Sequence, residues 1–165
     1  MNNSRINIVS IVPGTSVDGP GLRTSIYFAG CDHRCPGCQN PQTWDREAGI
    51  PMTVEEIMAE VRANGFNVTF SGGDPLQCPI NAIALAEAVK AAGFNLWIYT
   101  GYTFEEIVAD PELAPILMYA DVIVDGPFIE SLRDISLHFR GSSNQRLIDV
   151  SATLKAGEVV CIDRK

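Results

Sequence analysis

The chain reads as an α/β protein, an open partial (βα) barrel with a mostly parallel sheet, and three observations predict it. Apolar runs with strand character alternate with amphipathic, capped helical stretches, a pattern that requires helical crossovers between parallel strands. The segments "GCDHRCPGC", "SGGDP", "YTGY" and "VDGPF" each begin where a strand signal ends. In parallel α/β folds the carboxyl ends of the strands form the ligand-binding edge, so these segments predict one composite site. Length decides between closed and open: an eight-stranded barrel takes about 250 residues, and this chain has 165.

Taken in order, "INIVSIV" at 6–12 alternates like a strand, and "VDGPG" at 17–21 is a turn. "TSIYFAG" at 24–30 is a second strand of β-branched and aromatic residues, ended by Gly30. A helix starts at Thr53, where Thr53 and Glu56 have capping-box spacing; Val54, Ile57, Met58 and Val61 share its apolar face and Gly65 closes it. "NVTFSGG" at 67–73 is a strand running into two glycines. "PINAIALAEAVKAAG" at 79–93 is a helix with Pro at its start and Gly at its end. "NLWIYTG" at 95–101 is a strand, 103–119 is helical with an interruption at Pro111, and "DVIVDGP" at 121–127 is another strand. "RLIDV" and "EVVCI" are short strands that pair at an edge. No repeat, low-complexity segment or linker divides the chain, so residues 1–165 read as a single domain.

A formal net charge of −8 sets the chain against nucleic acid, whose phosphates it repels. No apolar run approaches the roughly 20 residues of a membrane helix. The amino terminus, "MNNSRINIVS", lacks the pattern of a signal peptide. The expectation is a cytoplasmic protein, in a compartment that keeps thiols reduced. Five cysteines there point to metal or redox chemistry more than to disulfides.

Cys31, Cys35 and Cys38 follow the second strand with the spacing C-x3-C-x2-C. Thiolates bind soft metals, and a loop lets three sulfurs converge. A four-iron cluster usually takes four cysteines; with three, one iron keeps a position open for an outside ligand. Two other readings stand beside this one. A structural zinc loop would use His33 as its fourth ligand, although His33 otherwise reads as a solvated loop residue. A simple electron carrier would recruit Cys78. In "SGGDP", Gly72 and Gly73 allow close backbone approach to a ligand, and Asp74 supplies a carboxylate.

The three-cysteine spacing together with "SGGDP" resembles the radical S-adenosylmethionine superfamily. "VDGPGLRTSIYFAGCDHRCPGCQNPQTW" is similar to glycyl-radical-enzyme activases within it. "CPGC", "SGGDPL", "YTGY", "VDGPF" and "RGSSNQR" resemble the activases that serve the anaerobic ribonucleoside-triphosphate reductase; an activase of a formate-lyase-type enzyme is the near alternative. These motifs span about residues 8–150. The resemblance implies an oxidoreductase with a [4Fe-4S] cluster on Cys31, Cys35 and Cys38 and S-adenosylmethionine at the open iron. An external one-electron donor such as flavodoxin would reduce the cluster. A 5′-deoxyadenosyl radical would then take hydrogen from a backbone glycine of the reductase's large subunit.

The same resemblance implies cofactor contacts from Gly72, Gly73 and Asp74, from Thr100 beside the ribose or carboxylate, from Asp125 at the ribose, and from Asn40 just after the last cysteine. Asp18 and Arg140 are expected to face the partner, Arg140 as a carboxylate clamp. Two departures from the family pattern are visible. Asp74 stands where Glu is commoner, and Gly37 stands where an aromatic residue often covers adenine. Cys78, Cys161, Trp44, Trp97 and His138 read as structural residues.

Overall fold

The computed structural model describes residues 5–38 and 41–162. Strands β1 (Arg5–Thr15), β2 (Arg23–Phe28), β3 (Ile50–Thr53), β4 (Asn67–Gly72), β5 (Leu96–Tyr99), β6 (Val122–Asp125) and β7 (Arg146–Asp149) form one sheet in the order β3-β1-β2-β4-β5-β6-β7. The central strands β2, β4, β5 and β6 are mutually parallel. Antiparallel partners finish both sides, β1 and β3 on one and β7 on the other. β3 and β7 are separate edges, so the sheet is open.

The helices are α1 (Val54–Asn64), α2 (Pro79–Ala91), α3 (Phe104–Ala109) and α4 (Val150–Ala156). The Thr53–Glu56 capping box forms as expected, and Gly65 ends α1 with φ +71°. Thr103 and Glu106 build a second capping box on α3. That helix stops at Ala109 because Asp110 precedes a proline and takes extended angles, φ −102° and ψ 113°. A 3₁₀ turn, Ala114–Met118, replaces the rest of the anticipated helical stretch.

Two elements were not anticipated. β3 contains Pro51 and pairs only with β1, a position where a sheet tolerates proline. α4 follows β7 with no loop, Asp149 serving as last strand residue and N-cap at once, which hid the change of period. Of the expected terminal pair, "RLIDV" contributes β7. "EVVCI" adds only a bridge, Ile148 to Cys161, and backbone bonds around it.

Residue parity sorts the sheet into two faces. Ile26, Phe28, Val68, Phe70, Leu96, Ile98 and Ile123 join the helices in the main core. Trp97, Val122, Val124 and Leu147 form a smaller cluster on the other face, with Tyr99 and Phe139 against it. That second face, unprotected by helices, and the carboxyl edge of the parallel strands enclose the site.

Candidate active site

β2 and β4 are in register to their ends, where Phe28 pairs with Gly72. Beyond them the chains stay in contact: Gly73 N–H donates to Phe28 O (2.8 Å) and Asp74 N–H to Gly30 O (2.8 Å). A Cβ at Gly72 would lie 2.4 Å from Phe28 N, and one at Gly73 2.5 Å from Gly30 O. Gly72 therefore admits the backbone at the end of β2, and Gly73 that of Gly30 at the start of the cysteine loop; the sequence reading assigned their openness to a ligand. The loop is also fixed from outside, by Gly30 N–H to Thr43 O (2.7 Å), Cys31 N–H to Trp44 O (3.2 Å) and Asp32 N–H to Gln77 Oε1 (2.8 Å). Arg34, with φ +45°, turns the chain between the cysteines.

Cys31, Cys35 and Cys38 all line one cavity of about 470 Å³. Gly72, Gly73, Asp74 and Thr100 line the same cavity, as do Asp18 and Arg140. Burial pushes the Cys31 and Cys35 thiols up; the Phe128 N–H opposes this at Cys35. Cys78 and Cys161 are exposed and are not among the lining residues. Asn40 lies outside the described residues.

Asp74 is 2% exposed. Its carboxylate accepts from Leu76 N–H (2.9 Å), Gly101 N–H (2.9 Å) and Thr100 Oγ1 (3.0 Å to each oxygen). His33 Nε2 lies 2.8 Å from Asp74 Oδ2 and, facing a carboxylate, carries the proton. The hydrogen bond to Asp74 raises the His33 pKa, against the opposing effect of burial. His33 is thus part of the cavity wall, not a solvated loop residue, and nothing local in the chain signals a partner 41 positions away.

Asp125 is placed away from the other expected cofactor contacts. Asp125 shares the parity of Ile123 and turns toward the helices, 1% exposed and absent from the cavity lining. Its oxygens accept from Phe104 N–H (2.8 Å), Arg146 N–H (3.2 Å), Arg146 Nε (3.1 Å) and Arg146 Nη2 (2.6 Å). Arg146 also reaches Glu105 (2.6 Å), and the two carboxylates raise its pKa.

Much of "RGSSNQR" proves to be a clasp. Gln145 Oε1 accepts from Gly141 and Ser142 N–H, and its amide donates to Gly126 O (3.0 Å). Asn144 donates to Pro127 O (2.8 Å), and Ser142 Oγ accepts from Ile129 N–H (3.2 Å). These bonds hold the 126–129 turn and set Phe128 in the cavity wall. Arg140 differs from the rest: its Nε is buried without a partner among the described residues.

Asp18 Oδ2 accepts from Ser25 Oγ (3.0 Å) and Tyr27 Oη (2.6 Å). Tyr99 Oη is buried with no partner among the described residues. Burial and Asp18 both raise the pKa of Tyr99 and Tyr27. Tyr27 and Tyr99 line the cavity, and sequence reading missed Tyr27. Strand parity could have found it, since Tyr27 alternates with the core residues Ile26 and Phe28. Gly37 has φ +76°, a backbone conformation that other residues rarely adopt, and a Cβ there would meet the movable Glu130 side chain at 2.9 Å, so the position favours glycine.

An open, mostly parallel sheet that brings three thiols and a glycine-rich loop to one cavity at its carboxyl edge fits an iron–sulfur enzyme. Residues 17–148 match the 4Fe-4S single cluster domain. The chain is 36% identical over 151 residues to the anaerobic ribonucleoside-triphosphate reductase-activating protein of Pasteurella multocida, covering 85% of this chain and 95% of that protein. It is 38% identical over 144 residues to the Salmonella typhi protein of that name (81% and 92% covered) and 35% identical over 152 residues to that of Escherichia coli K12 (85% and 96%). The chain belongs to the family of anaerobic ribonucleoside-triphosphate reductase-activating proteins. In fold it also resembles the crystal structure of QueE from Escherichia coli, with a TM-score of 0.51 and 19% identity over 60% of this chain and 54% of that one.

Proposed function

We propose that the chain activates an anaerobic ribonucleoside-triphosphate reductase by generating a glycyl radical on its large subunit, using a cluster on Cys31, Cys35 and Cys38. The convergence of these thiols and the "SGGDP" loop on one cavity carries this reading. The donor set fits: three soft thiols on one loop, with no fourth cysteine in the lining, suit a cluster with a corner open to another ligand. The cluster and S-adenosylmethionine supply a one-electron cleavage that ends in removal of hydrogen from a glycine, with the electron from an external donor such as flavodoxin.

The chain's own residues position and shield. Asp74 and Thr100 hold the loops around the cofactor's methionyl end. Phe128 is an aromatic side chain in the lining that could cover the adenine in place of Gly37. Asp18, Tyr27 and Tyr99 present a carboxylate and a free hydroxyl toward an entering peptide, and the unpartnered Arg140 Nε faces a carboxylate of cofactor or partner. The net charge of −8 supports a partner other than nucleic acid. Among the described residues no helix is long and apolar enough to cross a membrane.

Anaerobic reconstitution with iron and sulfide tests the reading. The expected result is about four irons per chain, a paramagnetic resonance spectrum of the reduced cluster that changes with S-adenosylmethionine, and release of 5′-deoxyadenosine. A bound zinc, or a cluster indifferent to the cofactor, overturns it.

A further inference from the structure

We propose that His33 is a positioning residue that registers the cluster loop against the cofactor-binding loops. The proposal rests on the reading of Cys31, Cys35 and Cys38 as cluster ligands. His33 lies between Cys31 and Cys35 in the chain, so wherever its ring is held, both flanking thiols are constrained. Its Nε2 donates to Asp74 Oδ2 at 2.8 Å. Asp74 binds Thr100 and Gly101 at the same time, so one carboxylate ties the cysteine loop, the glycine-rich loop and the end of β5.

The pocket around the ring is shaped for it. A Cβ at Gly101 would come within 2.6 Å of His33 Cδ2, so the missing side chain there is space the imidazole fills. Tyr102 packs edge-on at 4.8 Å between centroids. The ring therefore has a fixed seat on the β5 loop, and its bond adds to the backbone bonds that the cysteine loop makes to Thr43 and Trp44. Asp74 already accepts from Leu76, Thr100, Gly101 and His33. That leaves its two oxygens little capacity for a further donor. Asp74 acts on the cofactor chiefly by placing loops, and His33 is its contact on the cluster side.

The test uses the full chain, reconstituted anaerobically, with His33→Ala and His33→Gln. The readouts are iron per chain, the dissociation constant for S-adenosylmethionine by equilibrium binding, and the cofactor-induced change in the resonance spectrum. Losing a hydrogen bond to a charged group predicts affinity weaker by about tenfold or more in His33→Ala. His33→Gln, which keeps a donor for Asp74, recovers most of it. Unchanged or tighter binding by His33→Ala overturns the proposal, as does failure of His33→Gln to recover with its iron intact. Should His33→Ala take up no iron, hydrogen exchange on the iron-free chain decides: backbone amides 31–35 and 100–102 lose protection in His33→Ala and regain it in His33→Gln, and equal protection in all three refutes the tie. A wild-type cluster that ignores the cofactor would sink the proposed function itself, a result separate from any effect of His33.

Discussion

Asp125→Asn separates a structural from a cofactor-binding role for the strand-end carboxylate. In the wild type, Asp125 accepts from two backbone N–H groups and both arms of Arg146, at 1% exposure. The amide replaces one anionic oxygen with a donor that faces the guanidinium. Breaking a fully buried ion pair costs about 3–5 kcal/mol. Here the Arg146 side chain is 34% exposed and keeps Glu105, so solvent and that second partner reduce the loss to about 2–3 kcal/mol. For a chain of this size each kcal/mol moves the midpoint by about 2–4 °C, which predicts a fall of about 4–12 °C by calorimetry or circular dichroism. Cofactor affinity should stay within about threefold, because the carboxylate faces away from the cavity. An unchanged midpoint with affinity weaker by about tenfold or more would refute the reasoning and return Asp125 to the ribose.

Cys31→Ala, Cys35→Ala or Cys38→Ala should each abolish the reconstituted cluster's absorbance, while Cys78→Ser and Cys161→Ser, at exposed positions outside the cavity, should retain it. Gly73→Ala should displace the cysteine loop, since its Cβ meets Gly30 O at 2.5 Å, and iron uptake measured per chain should drop well below wild type; full uptake would show that the loops are not packed as described. Burial raises the pKa of Tyr27, Tyr99 and Tyr102. An acid whose pKa rises on folding adds stability that is complete below its unfolded value, near 10, and is lost as pH climbs toward the folded value. Alkaline titration should therefore show tyrosinate absorbance from these residues only together with loss of circular dichroism. Glu105 has the opposite sign: the Arg146 hydrogen bond lowers its pKa, so its contribution is present above the unfolded value and is lost as pH falls through the folded one. Glu105→Gln should melt lower than wild type at neutral pH, by no more than about 1 kcal/mol for so exposed a pair, with the difference vanishing in acid.

The strand-and-helix alternation was legible because local signals carry it: capping boxes, a proline at a helix start, glycines at helix ends. The location of the site was legible for the same reason, as each motif sits directly at a strand's end. The facing of individual side chains was less so. Asp125 looked like a ligand contact because it ends a strand beside "GPF", yet its parity with Ile123 turns it toward the helices, and only the register with β7 brings Arg146 onto it. "RGSSNQR" was specific enough to suggest function, but that specificity belongs mostly to hydrogen bonds that Gln145, Asn144 and Ser142 make to the 126–129 turn. His33 offered no local signal, since its partner lies on another loop.

The contacts of these segments bear on how the site is built. Gly73, the carboxylate of Asp74 and the polar run at 140–146 all read as groups reaching for a ligand, and each also contacts another loop of the same chain, while Gly72 packs on the end of β2. A site whose walls include loops beyond the strand ends draws part of its precision from loop-to-loop bonds. Polar and glycine-rich composition there reports the cost of joining loops as much as the chemistry they perform. Among the described residues, two buried polar atoms without a hydrogen-bond partner, Tyr99 Oη and Arg140 Nε, belong to residues that line the cavity together with the three cysteines, while two others, Trp44 Nε1 and Asn144 Oδ1, belong to residues outside its lining. Buried polar atoms without partners are costly to the fold unless something enters to meet them. Tyr99 and Arg140 carry such atoms in the lining of the cavity proposed to receive cofactor and partner glycine.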